Sequence, residues 1–80
     1  GLDKAAQAAE RLATIDAATG NWAKAQIYDR RKEFVKAEEH LRRAVQLAPQ
    51  QVSRIIDLAK YLSKQGRSRE SDAVLAQALK

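Results

Sequence analysis

A set of side chains recurs in this chain at one fixed interval. Ala25, Tyr28, Ala37, Leu41, Ala44 and Val45 are answered 34 positions later by Ala59, Leu62, Ser71, Leu75, Ala78 and Leu79. Each pair keeps its size class, so the two stretches are copies of one unit. An interval of this length accommodates two helices and their turns. It marks helical arrays in which each unit buries its apolar face against the next, and such arrays usually serve to hold another macromolecule.

Composition narrows the reading. Eighty residues make one small domain, and a chain of that size buries only about 60% of the surface its unfolded form exposes. There is no cysteine, which removes disulfides and thiolate metal sites and leaves packing as the source of stability. Abundant Ala, Gln, Arg, Lys and Leu with three Gly and one Pro describe an all-α chain. No apolar run approaches the roughly 20 residues that span a bilayer. A formal charge of +5 favours acidic partners through long-range attraction. The chain opens on Gly1 rather than Met, as expected of a piece of a longer protein.

Periodicity predicts five helices. Leu2, Ala5, Ala9, Leu12 and Ile15 form one stripe over about residues 2–18, with Gly20 as the stop. Asn21 is the expected cap of a second helix, about 21–31, carrying Trp22, Ala25, Ile27 and Tyr28 on its apolar side. A third, about 34–47, presents Phe34, Ala37, Leu41, Ala44 and Val45, and Pro49 ends it. The fourth, about 51–65, presents Ile55, Leu58, Ala59 and Leu62 before Gly66, and the fifth, about 68–79, presents Ser71, Val74, Leu75, Ala78 and Leu79. Short turns make neighbouring helices antiparallel. Small residues at 25, 37, 44, 59, 71 and 78 let the helices approach, while Tyr28, Leu41, Leu62 and Leu75 fill the remaining volume.

The stretch Phe34-Val-Lys-Ala37-Glu-Glu-His-Leu41-Arg-Arg-Ala44-Val-Gln-Leu47-Ala-Pro49 closely resembles the second helix of a tetratricopeptide repeat (TPR), including its closing proline. Ile55, Leu58, Ala59, Leu62 and Gly66 resemble the first helix and turn of the next copy, and Leu2-Asp-Lys-Ala5 resembles Phe34-Val-Lys-Ala37 at a distance of 32 residues. The resemblance implies a right-handed stack of antiparallel hairpins, an α-solenoid, in a single domain over 1–80. Residues 1–20 are then a half repeat, 21–50 the first repeat and 51–80 the second. Two departures stand out: Lys32 replaces the glycine expected at the first hairpin turn, and Trp22 sits one residue later than the family's aromatic. Trp22 has two readings, core or groove, and a thin domain favours the core.

By the same resemblance a ligand lies in the concave groove lined by the first helix of each hairpin. Helical phase places Trp22, Gln26, Asp29 and Arg30, then Ile56, Lys60, Ser63 and Lys64, along it. The clamp with which some members grip a terminal carboxylate is not expected, because Trp22, Gln26 and Asp57 occupy positions where Lys or Asn is needed. An apolar pair, Trp22 and Ile56, rimmed by Gln26, Lys60 and Lys64, suits an amphipathic or extended peptide bearing acidic residues.

Catalytic chemistry finds no foothold. His40 is the lone histidine and lacks partners at metal-ligand spacing, the serines have no nucleophile elbow, and the glycines are too scattered to cradle phosphate. No cofactor is implied. Arg30, Arg31 and Lys32 at one turn and Lys64, Arg67 and Arg69 at the matching one would form a basic ridge, either a set of helix-stabilising cations or a contact for an acidic partner. Arg42-Arg43 read as a solvated face. Binding a peptide or partner protein is the leading expectation. Nucleic acid binding through the ridge is disfavoured, since few aromatics are free to stack on bases. Self-association through the C-terminal helix, or a longer parent chain, is a third expectation, because that helix has no polar cap.

Overall fold

The computed structural model describes the backbone of residues 2–79 and the side chains of residues 15–79. Among the described residues there are four helices and no strand: α1 (Leu2–Arg30), α2 (Phe34–Leu47), α3 (Val52–Lys64) and α4 (Ser68–Ala78). Consecutive helices pack together, α1 on α2, α2 on α3 and α3 on α4. The molecule is therefore two hairpins joined through the α2–α3 contact. The apolar stripe expected at Leu2, Ala5, Ala9 and Leu12 lies outside the described side chains.

One expected boundary is absent. Gly20 does not stop a helix and Asn21 does not cap one; residues 2–30 form a single helix of 29 residues. A glycine in a helix interior costs only about 1 kcal/mol relative to alanine, too little to break a helix held on both sides. The neighbouring polar residues also turn inward along the helix. Thr19 Oγ1 donates to the Ile15 carbonyl at 3.0 Å and Asn21 Nδ2 to the Ala17 carbonyl at 2.9 Å. That leaves Asn21 Oδ1 to accept from His40 Nδ1 at 2.9 Å, across to α2. Tyr28 stacks on the His40 ring at 5.3 Å, so His40 is a packed side chain of the first hairpin.

The two hairpin turns are the same object. Arg31, Lys32 and Glu33 donate their backbone N–H groups to the carbonyls of Ile27, Asp29 and Tyr28; Gln65, Gly66 and Arg67 donate to those of Tyr61, Ser63 and Leu62. Each set carries the hydrogen bonds of a Schellman motif, which needs a left-handed residue just past the helix. Gly66 supplies it at φ +78°, and Lys32 supplies it at φ +61° despite its side chain. The missing glycine therefore changed the residue and left the conformation.

The main core gathers Ala25, Ala37, Leu41, Leu58, Tyr61 and Leu62, with Leu62 wholly buried. Ala18, Ala44 and Ala48 form a second cluster where α1 meets the end of α2. Small residues do set the helix approach: Ser71 is buried and its hydroxyl donates to the Ala59 carbonyl at 2.7 Å, joining α4 to α3. Tyr61 ties α3 to α2 by donating its hydroxyl to the Phe34 carbonyl at 2.9 Å. Burial pushes the Tyr61 phenol pKa up, and the charges of Asp29 and Glu38 push the same way. Five residues expected on apolar faces are exposed: Ile15, Ile27, Phe34, Leu75 and Leu79. Among the described residues no helix follows α4 to cover Leu75.

Candidate functional site

Side chains from α1 and α3 meet in front of the core. Trp22, Gln26 and Asp29 follow one another at spacings of four and three along α1, while Asp57, Lys60 and Lys64 do the same at three and four along α3. Helical geometry thus presents each trio on one face. Between them lies a cleft of about 240 Å³, floored by Ala25, Leu41 and Tyr61.

The walls are held by cross-helix contacts. Arg54 of α3 lays its guanidinium over the Trp22 indole, 4.8 Å from the ring centre, and pairs with Asp57 at 3.3 Å. Trp22 consequently answers to both of its readings: it packs against the core cluster, has one face covered by Arg54, and still lines the cleft. Lys64 reaches from α3 to Asp29 of α1 at 3.4 Å, closing one end. The second Asp29 oxygen, Oδ1, is buried with no hydrogen-bond donor among the described residues, so Asp29 depends on that lysine. Lys60 has no carboxylate at ion-pairing distance among the described residues. It is the cleft's available cation.

Of the eight residues placed in the groove by helical phase, five come together here: Trp22, Gln26, Asp29, Lys60 and Lys64. Arg30, Ile56 and Ser63 are exposed and do not line the cleft. Each lies to one side of the lining trio on its helix, and a one-residue step rotates a side chain by about 100°. Arg54, Asp57 and Tyr61 were not among the eight. Asp57 stands three residues before Lys60, and Tyr61 four after Asp57, so both were accessible to a phase argument that starts from Asp57; the Arg54–Trp22 contact joins two hairpins and has no local signal.

The basic ridge is divided. Lys64 is committed to Asp29, and Arg67 pairs with both Glu38 and Glu70. Arg30, Arg31, Lys32 and Arg69 are exposed, with no carboxylate at ion-pairing distance among the described residues. Arg42, expected on a solvated face with Arg43, instead pairs with Glu38 at 2.9 Å and Glu70 at 3.6 Å. The hydrogen bond from Arg67 holds the Glu38 carboxyl below its ordinary value against partial burial, with Arg42 assisting. Glu70 is held low by Arg67 as well, and the two carboxylates hold the Arg67 guanidinium more firmly protonated than usual. This network fastens α2 to α4 and its turn.

None of the family models, curated proteins or solved structures compared with the chain gives a significant match. Function must therefore be argued from the chain's own geometry. A larger concavity of about 660 Å³ lies between α2 and α4, with Val45, Ile55, Leu58 and Val74 on its walls. Its one charged lining residue is Arg42, already engaged by carboxylates. The α1/α3 cleft offers more to a specific partner: an aromatic, an amide, two acids and two bases around an apolar floor. Among the described residues no three His, Asp or Glu side chains are grouped to hold a metal, and no helix is long and apolar enough to cross a membrane.

Proposed function

We propose that the chain is a non-enzymatic protein-interaction module, a TPR-like stack of hairpins that binds a peptide or a segment of a partner protein in the α1/α3 cleft. The observation that supports this reading is a contrast in the walls. Positions that build the hairpins repeat at the 34-residue interval, as in Ala25 and Ala59 or Ala37 and Ser71, whereas Gln26 is matched by Lys60 and Asp29 by Ser63. Where scaffold repeats and wall does not, the wall is the part shaped for something else. Lys60, with no carboxylate at ion-pairing distance among the described residues, stands beside Gln26 and Trp22 and favours a segment with an acidic residue near an apolar one.

Selection of a random peptide library on the chain tests this directly. Acidic, apolar-containing sequences are expected, and their binding to Lys60→Glu should fall by about tenfold while circular dichroism is unchanged. Selected peptides that bind Lys60→Glu and Gln26→Ala as well as the parent would refute the cleft assignment.

A further inference from the structure

A second surface, on α4, has a counterpart within the fold itself. On α2 the stripe Glu38, Leu41 and Val45 is covered in large part by the second hairpin, while the Phe34 side chain at its start stays 42% exposed. The Phe34 carbonyl accepts from Tyr61, Glu38 pairs with Arg67, Leu41 is buried against Leu58, Tyr61 and Leu62, and Val45 packs on the same cluster. Thirty-four residues on, the stripe becomes Ser68, Asp72 and Leu75 on α4 and Leu79 just past its end. Leu41 is 3% exposed, whereas Leu75 is 37% and Leu79 87% exposed. Asp72, at the place of Glu38, has no cation at ion-pairing distance among the described residues. One half of the α2–α3 interface is thus repeated, and no helix among the described residues covers it.

We propose that this stripe docks an amphipathic helix of a partner protein, one that repeats what α3 and Arg67 present to α2. The established interface specifies the partner's chemistry. It carries apolar residues at the spacing of Ile55, Leu58, Tyr61 and Leu62, and a cation just past its C-terminal end, where Arg67 stands, to meet Asp72. A helix laid into an apolar stripe through such anchors is an ordinary recognition mode. A second copy of this chain is the wrong occupant. Stacked in the same register, its α1 brings Lys24 to the place of Leu58, and the turn after it brings Glu33 to the place of Arg67, against Asp72. A lysine would be buried and two carboxylates opposed, each a recognised cost. The surface is separate from the α1/α3 cleft, so either reading can fail without the other.

The probe is a fluorescent synthetic peptide of residues 51–67, added in trans to the 80-residue chain and followed by anisotropy. Saturable binding is expected, weakened at least about tenfold by Leu75→Asp or Leu79→Asp in the chain and about threefold by Asp72→Lys. A peptide carrying Leu58→Lys should not bind. Both leucines are exposed, and circular dichroism verifies that the variants remain helical. Three results would overturn the proposal: no saturation at millimolar chain, binding indifferent to Leu75→Asp, or a sedimenting dimer of the chain alone that Leu75→Asp dissolves. The second would mean that the peptide displaces α3; the third would make a second copy the occupant.

Discussion

The α1/α2 and α3/α4 hairpins turn through the same backbone path, yet Leu41 in the first is 3% exposed and its counterpart Leu75 in the second is 37% exposed. The turn is decided locally, by hydrogen bonds among seven consecutive residues that close whether or not another hairpin is present. Burial is decided by the neighbour: α2 has α3 against it, and α4 has no equivalent among the described residues. Identical local chemistry therefore yields different energetics at the two positions. The sharpest test is a pair of truncations. Leu41→Ala should destabilise the chain by about 3 kcal/mol, the cost of a buried leucine plus its cavity, and Leu75→Ala by about 1 kcal/mol. Urea unfolding of both variants measures the gap, and equal losses would mean that α4 is covered in solution.

A smaller effect separates the turns themselves. Lys32 and Gly66 share the left-handed conformation, which costs a side-chain-bearing residue about 1 kcal/mol. Lys32→Gly should therefore stabilise the first hairpin by a few tenths of a kcal/mol, roughly what is left of that cost after the greater freedom of glycine in the unfolded chain is deducted. Gly66→Ala should destabilise the second by about the same amount. A Cβ at Gly66 meets no atom within 4 Å, so the loss is one of backbone conformation and not of space. Thermal melts of the two variants are expected to move in opposite directions. If both fall, Lys32 contributes a contact that its exposed position does not reveal.

The repeat interval made the second hairpin legible almost residue by residue: Pro49 beyond α2, Gly66 beyond α3, and the close approach at Ala59 and Ser71 all follow from local chemistry. The single α1 helix was not legible. Gly20-Asn21 carries the markings of a boundary, and what overrides them is tertiary: Asn21 bonds to His40, nineteen residues away, and Ala18 is buried against α2. The cleft was readable in part. Phase along α1 and α3 located five of its lining residues, since a helix converts spacing into direction. The ion pairs Asp29–Lys64 and Glu38–Arg67 were not readable, because they depend on how one hairpin is set against the other.

Those ion pairs supply the finest distinction between the hairpins. Glu38 is held between Arg67 and Arg42, whereas Asp72, its counterpart, has no such partner among the described residues. Glu38→Gln should lower stability at neutral pH by somewhat less than about 1 kcal/mol, as befits a partly exposed pair, and Asp72→Asn should have no measurable effect. The pH dependence gives the sign. The folded-state pKa of Glu38 lies below its ordinary value of 4.5, so its stabilisation is complete above that value and is lost as pH falls through the folded-state pKa. Stability curves of the parent and Glu38→Gln should accordingly run apart at pH 7 and converge in acid, with the parent the steeper of the two below about pH 4.5. Raised salt should narrow the same gap at pH 7, because screening acts on the charged pair alone. A gap that persists unchanged into acid would assign Glu38 a packing role, and the two hairpins would then differ in shape rather than in charge.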